Sequence, residues 1–289
     1  MYTNWALLLA CVLLAVAPGG RQTVAIADSW TARTEPIRVI DNIYYVGTVD
    51  LASYLITTSA GHILIDTGMT QNAEPISASI AALGFKVRDV RIILTTQAHF
   101  DHVGALARLK ELTGARVLVS AADAPLVEGG GKGDYLFGPD YYFPATKVDG
   151  LVKDGEAVRL GGTELMPHLT PGHTRGDTTW TMKARDEAGA LRNVVFAGST
   201  SVNPGTTLVG NAEYPAIAKD YQRAFAVLKS LPCDVFLAAH ASAYGGPEKM
   251  AKARAGATPN PFIDPDGYTQ AVARSERAFL EELKKQSTR

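Results

Sequence analysis

Cysteine is nearly absent from this chain: Cys11 and Cys233 are the only two in 289 residues. Cys11 falls inside an apolar amino-terminal run, so a chain trimmed of that run keeps one thiol and can form no intramolecular disulfide. Cys233 lies between Pro232 and Asp234, with no second cysteine or adjacent histidine, and reads as a buried, inert thiol. Charge of one sign is also missing. The formal net charge is −1, and no Lys/Arg run offers a surface that follows a phosphate backbone, which argues against a nucleic-acid partner. The run Gly129-Gly130-Gly131-Lys132-Gly133 has neither the Gly-Lys-Ser/Thr ending nor the preceding strand of a phosphate cradle. It reads as a loop, either a plain surface one or one that sets Tyr135, Leu136 or Phe137 against a substrate. There is no repeat, low-complexity tract or interdomain linker. No heptad pattern points to self-association, so a single-domain monomer is expected.

The amino end carries an apolar run from Trp5 to Ala17. It has the length of a signal peptide and is too short to span a bilayer comfortably. Ala25-Ile26-Ala27 offers a small-x-small cleavage site. The expected organisation is therefore a signal peptide over residues 1–27 and one domain over residues 28–289, exported to a bacterial periplasm. Leu8-Leu9-Ala10-Cys11 loosely matches a lipoprotein box, but the apolar run continues past Cys11, which disfavours anchoring. The hydrophobic content of 46% allows a large core.

The chemistry is densest at Thr95-Thr96-Gln97-Ala98-His99-Phe100-Asp101-His102. The apolar run Ile92-Ile93-Leu94 before it reads as a buried strand, and Val103 to Leu109 after it as an amphipathic helix. His99, Asp101 and His102 thus sit on a loop at the carboxyl end of a strand, where α/β sheets hold their sites. Two imidazoles and a carboxylate within four residues cannot all turn into an apolar core. That density of nitrogen and oxygen donors suits zinc.

Along the rest of the chain, Ile37 to Tyr45 and Ala52 to Ile56 read as strands, with Gly47 and Asp50 turning between them. A further strand, Ile63-Leu64-Ile65, ends in Asp66-Thr67-Gly68. A helix is expected from about Asn72 to Leu83, and another up to Thr113. Val117 to Val119 is again a strand, so the first half alternates β and α. Strands at Ala157–Leu160 and Thr163–Leu169 lead to the turn Thr170-Pro171-Gly172-His173-Thr174. Thr178–Lys183 and Val194–Phe196 are strands, the latter running into Gly198-Ser199-Thr200-Ser201. An amphipathic helix over Pro215–Leu231, the strand Val235–Ala238 before His240, and a charged helix over Asp266–Lys285 complete the pattern. His62 reads as a turn residue, and His168 as a strand residue with a place behind the metal ligands at most.

Asp66, His99, Asp101, His102, His173, Ser199 and His240 all follow predicted strands, and strand ends on one sheet edge converge. This set resembles the metallo-β-lactamase superfamily, over roughly Ile37 to Tyr244. The marks are the Asp66-Thr67-Gly68 turn, His99-x-Asp101-His102, Gly172-His173-Thr174 and the late His240. The resemblance implies an α/β fold, a four-layer αβ/βα sandwich, with one or two zinc ions. It implies a first zinc site of Gln97, His99 and His173, and a second of Asp101, His102 and His240. Asp66 would hold the metal-site loop from behind.

Most hydrolases of the superfamily carry a bridging Asp where this chain has Ser199. Ser there, with His102 as a ligand, resembles subclass B3 of the metallo-β-lactamases, as do Asn203 to Asn211 and Leu231 to Val235. The implied activity is zinc-dependent hydrolysis of the β-lactam amide of penicillins, cephalosporins and carbapenems. Asp101 would be the catalytic carboxylate, and Ser199 and Ser201 would bind the substrate. The departure is Gln97, where the family motif normally has His, although some members of the subclass carry Gln. Its amide oxygen is a weaker donor for zinc than imidazole. A lactonase or other ester hydrolase on the same fold, and a non-catalytic zinc-binding protein, are the competing readings.

Overall fold

The computed structural model describes residues 26–288. The proposed signal peptide therefore lies almost wholly outside the described residues. The first half builds a seven-stranded sheet from β1 (Ile37–Ile40), β2 (Ile43–Tyr45), β3 (Tyr54–Thr58), β4 (Gly61–Ile65), β5 (Val90–Leu94), β6 (Arg116–Ser120) and β7 (Gly150–Val152), paired in that order. The pairs from β1 to β4 are antiparallel and those from β4 to β7 are parallel. The parallel crossovers carry α1 (Ala73–Ala82), α2 (Phe100–Val103), α3 (Leu106–Thr113) and α4 (Ala124–Gly129). The second half gives a five-stranded sheet from β8 (Val158–Leu160), β9 (Thr163–Leu169), β10 (Thr178–Arg185), β11 (Leu191–Ala197) and β12 (Val235–Ala238). Its helices are α5 (Ile217–Ser230), α6 (Gly246–Arg254) and α7 (Pro265–Ser287).

Alternation within the strands sorts the core into layers. On β3, β4 and β5, Tyr54, Ile56, Ile63, Ile65, Ile92 and Leu94 face the second sheet and pack with Trp180, Met182 and Phe196. The intervening Leu55, Leu64 and Ile93 face outward and pack with Ile76, Ile80, Leu106 and Leu109 of α1 and α3. Behind the second sheet lie Tyr221, Phe225 and Leu228 of α5 with Val272 and Phe279 of α7. Strands buried on both faces must be apolar, which is why β12 and the Ile92–Leu94 end of β5 read as unbroken apolar runs. The order helices, sheet, sheet, helices is the expected four-layer α/β sandwich.

Several elements differ from the expected ones. Ile37–Tyr45 is a hairpin of two short strands, turned at Asp41 with φ of +49°. The helix after the central stretch is two helices. At Gly104 an added Cβ would lie 2.5 Å from Phe100 O and 2.6 Å from Thr70 N, so the chain bends against Met69-Thr70 there. His62 is not a turn residue. It lies in β4, buried, with its ring edge-on to Phe85 at 5.1 Å.

Two cross-sheet bonds pin the edge where the strands end. Trp180 Nε1 donates to Thr95 O at 3.0 Å, and Tyr54 Oη donates to Ala238 O at 2.8 Å. Thr178 N adds a backbone bond to Thr96 O at 2.7 Å. Trp180 is fully buried, so Trp180→Ala leaves a cavity and strands the Thr95 carbonyl. We expect a loss of ~3–5 kcal/mol in denaturant-unfolding free energy; a loss below ~1 kcal/mol would contradict this role.

Candidate metal centre

The centre is assembled at that pinned edge. Gln97 and His99 lie on the loop leaving β5, and Asp101 and His102 fall in the first turn of α2, immediately after it. His99 keeps an extended backbone (φ −79°, ψ 154°) just before this helix. His173 sits on the turn between β9 and β10, and His240 directly follows the loop from β12. Gln97, His99, Asp101, His102 and His173 are all buried.

The turn of His173 admits only glycine before it. Gly172 has φ of +144°, and an added Cβ would meet the Tyr221 ring at 2.7 Å. His173 Nδ1 donates to Ser201 O at 2.8 Å. A carbonyl only accepts, so the proton is on Nδ1 and Nε2 is a free lone pair. Burial and the neighbouring His99 push His173 down to about 3, so it is neutral at pH 7. Its Nε2 faces His99 Nδ1 at 3.1 Å.

The other donors form a second group. Asp101 Oδ2 lies 3.3 Å from His102 Nε2 and 3.4 Å from His240 Nε2. Ligand atoms of these three residues lie within 4.8 Å of one another, an arrangement that can hold a metal ion. Burial alone would raise the Asp101 carboxyl, but His102 and His240 outweigh it and hold it well below the carboxylate range.

The donors fit a metal on two counts. The Gln97 amide oxygen and the ring nitrogens of His102 are buried without a hydrogen-bond partner, and a cation would satisfy the amide oxygen and the one imidazole lone pair. Around a tetrahedral ion with bonds of ~2.0–2.1 Å, neighbouring donors stand ~3.3 Å apart. The separations of 3.1, 3.3 and 3.4 Å match that spacing.

Carboxylates behind the donors fix the loops. Asp66 has φ of +58° and accepts from Thr96 N at 2.7 Å and Thr96 Oγ1 at 2.6 Å. It stands 3.8 Å from His102 Nδ1. Asp123 accepts from Thr174 Oγ1 and Gly176 N, so it braces the His173 turn. Asp177 accepts from Ser199 N at 2.9 Å. A Cβ at Gly198 would lie 2.0 Å from Asp177 Oδ1, so only glycine fits there. Asp50 accepts from Ser242 N at 2.8 Å and meets His240 Nδ1 at 3.0 Å, which turns His240 Nε2 toward Asp101.

The residues singled out in the sequence for this site therefore lie at one edge, His168 excepted. Ser199 and Ser201 line the cavity and bond each other through their hydroxyls at 3.0 Å. His168 is elsewhere, bonded to Thr181 Oγ1 at 2.9 Å. Sequence reasoning missed Asp50, Asp123, Asp134 and Asp177, whose partners are remote along the chain. The site opens into a cavity of about 430 Å³, walled by Trp30, Phe137, Ala271 and Val272 as well as by His99 and His240. Tyr135 does not face it with its hydroxyl, which bonds His173 O at 2.9 Å.

Residues 48–240 match the family model of the metallo-beta-lactamase superfamily, and the chain belongs to that superfamily. More particularly, solved structures similar to it include metallo-β-lactamases, among them an enzyme of subclass B3. The FEZ-1 metallo-β-lactamase of Legionella gormanii is 45% identical with a TM-score of 0.87, covering 89% of this chain and 98% of that one. BJP-1 of Bradyrhizobium japonicum, a subclass B3 enzyme, is 44% identical with a TM-score of 0.84, covering 90% and 98%. Among curated proteins, a probable metallo-hydrolase of Burkholderia pseudomallei is 30% identical over 138 residues, 47% of this chain and 45% of its own length. A hydroxyacylglutathione hydrolase of Rhodopseudomonas palustris is 29% identical over 60% of this chain and 57% of its own length. The chain thus spans about half the length of the curated relatives it matches.

Asp123 supplies a pH test of the bracing network. Burial pushes its carboxyl up from 3.8 to about 6, against its two hydrogen-bond donors. The folded state then holds the proton more tightly than the unfolded state, so this group costs stability as pH rises from about 4 to 6 and no further above that. Measured by denaturant unfolding, wild type should lose ~2–3 kcal/mol relative to Asp123→Asn across that window. A pH-independent difference between the two would refute the shift.

Proposed function

We propose that this protein is a zinc-dependent β-lactamase of subclass B3, exported to the periplasm and active as a monomer on small-molecule β-lactams, without nucleic-acid or stable membrane partners. The observation that carries the reading is the pairing of His99 with His173 beside the cluster of Asp101, His102 and His240, with Gln97 buried two residues before His99, at a cavity that Ser199 and Ser201 help to line. In this reading the first three hold one zinc and the second three hold another. Likeness to FEZ-1 and BJP-1 along nearly their whole lengths supports the same substrate class. No helix among the described residues is long and apolar enough to cross a membrane.

Zinc, when bound, supplies Lewis acidity toward the amide and a water acidified from ~15.7 toward ~7. The chain's own residues do the rest. Asp101, a ligand carboxylate in this reading, orients the attacking water or accepts its proton. Ser199 and Ser201, at the cavity wall, hydrogen-bond the substrate carboxylate. Asp177, by fixing Ser199 N, and Asp66, by fixing Thr96, keep these groups in position. No side chain here forms a covalent intermediate.

The hydroxyacylglutathione hydrolase relatives favour a second reading, a thioester or ester hydrolase. Ser199 in place of the bridging Asp argues against it. Nitrocefin and imipenem turnover that rises with added zinc and stops with chelator is the expected result. Turnover of a glutathione thioester or an acyl-homoserine lactone, without turnover of either β-lactam, would overturn it. Gln97 is expected to weaken the first site: after dialysis, wild type should keep about one zinc and Gln97→His about two. Equal, tightly held stoichiometry in both would contradict the weakening.

A further inference from the structure

We infer that Asp134 is a positioning residue for His99, selecting the ring tautomer that leaves Nδ1 free for metal. The inference rests on the metal-site reading above, but concerns a residue outside the six donors. Asp134 lies in the irregular loop between α4 and β7. Its Oδ1 accepts from Leu136 N at 2.7 Å and from Phe137 N at 2.9 Å. These two bonds fix the carboxylate and aim its other oxygen at the histidine. Oδ2 lies 3.3 Å from His99 Nε2, both groups being nearly inaccessible, with 4% and 1% side-chain exposure.

The geometry leaves His99 little choice. Nε2 is buried and makes no well-aligned hydrogen bond; the Asp134 carboxylate at 3.3 Å is its ion-pair counterpart. A carboxylate accepts and does not donate when ionised, so the proton belongs on Nε2. Nδ1 lies within hydrogen-bond distance of the His173 Nε2 lone pair, at 3.1 Å, and is then the nitrogen left to give up its proton when a metal ion enters between the two rings. A carboxylate behind a ligand histidine also raises the basicity of the ring.

The loop is held in register for this purpose. Tyr135 Oη donates to His173 O, and the Phe137 ring stands edge-on to His99 at 4.8 Å. Arg175 lies over both Tyr135 and Tyr214, at 5.9 and 5.1 Å from their centroids. One clasp therefore ties the loop of Asp134 to the turn of His173.

Asp134→Asn separates positioning from folding. Its Oδ1 can keep the bonds from Leu136 and Phe137, but its NH2 then points at His99 Nε2. Donor would face donor, and the ring would flip its proton to Nδ1. Asp134→Ala removes the loop bonds yet leaves His99 free to choose. A structural residue would make Ala the worse change in every measurement. A positioning residue makes Asn worse for zinc and Ala worse for stability.

The experiment is nitrogen-15 imidazole NMR of the zinc-free full domain, followed by zinc titration read on the His99 ring and by thermal unfolding. Zinc-free wild type should carry a proton on Nε2, with or without a second one on Nδ1 shared with His173, and Asp134→Asn should carry one on Nδ1 alone. Zinc affinity at His99 should fall ~10–100-fold in Asp134→Asn and less in Asp134→Ala, while Asp134→Ala melts lower. A wild-type ring with no proton on Nε2, or zinc affinities that simply follow the melting order, would overturn the assignment. A wild type whose ring signals ignore zinc would overturn the metal reading instead, and the tautomer result would still stand by itself.

Discussion

His99 Nδ1 and His173 Nε2 stand 3.1 Å apart, and because His173 keeps its own proton on Nδ1 toward Ser201 O, only a proton from His99 or a cation can lie between the two nitrogens. Water cannot take that place, because both rings are buried. The fold must therefore hold electron-pair donors where an apolar core would disperse them. It does so with backbone and with carboxylates set one layer behind. Asp66 fixes Thr96, Asp123 fixes the His173 turn, and Asp177 fixes Ser199.

Those carboxylates carry the expense of burial themselves. Asp66 and Asp123 are pushed up to about 6 by loss of solvent, despite the hydrogen bonds that oppose it. Stability is thus reduced at the position of each brace in exchange for a fixed direction at each donor. Asp50 behaves differently. Burial again works upward, but its contacts with His240 and Ser242 bring it down to about 2. His240 meets it at hydrogen-bond distance, 3.0 Å, against 3.8 Å between His102 and Asp66, and the sign of its shift follows from that closer pairing.

Much of this was legible in the sequence because short-range signals carried it. An unbroken apolar run followed at once by polar donors marks a buried strand and its loop, and that pattern recurs before Asp66, His99 and His240. What stayed hidden depends on distant pairing. Asp50 reads as an ordinary turn residue, yet it meets His240 across 190 positions. Asp134 lies in a glycine-rich stretch with no periodicity, and nothing local indicates His99 as its neighbour. The strand β7 and the helix α6 were missed for a related reason. Only Val152 is buried in the one, and only Gly246 and Met250 in the other, so neither has an apolar face to read. Ile37–Tyr45 looked continuous because its turn at Asp41 carries no glycine or proline.

The cavity wall contributed by α7 holds none of the metal donors. Ala271, Val272 and Ser275 face the chamber, and Ser275 Oγ accepts from Thr200 Oγ1 at 3.0 Å, one residue from the Ser199 backbone. Reactivity and molecular preference are therefore written on separate parts of the polypeptide. Mutation along one turn of that helix can reshape the chamber while the donor geometry stays untouched.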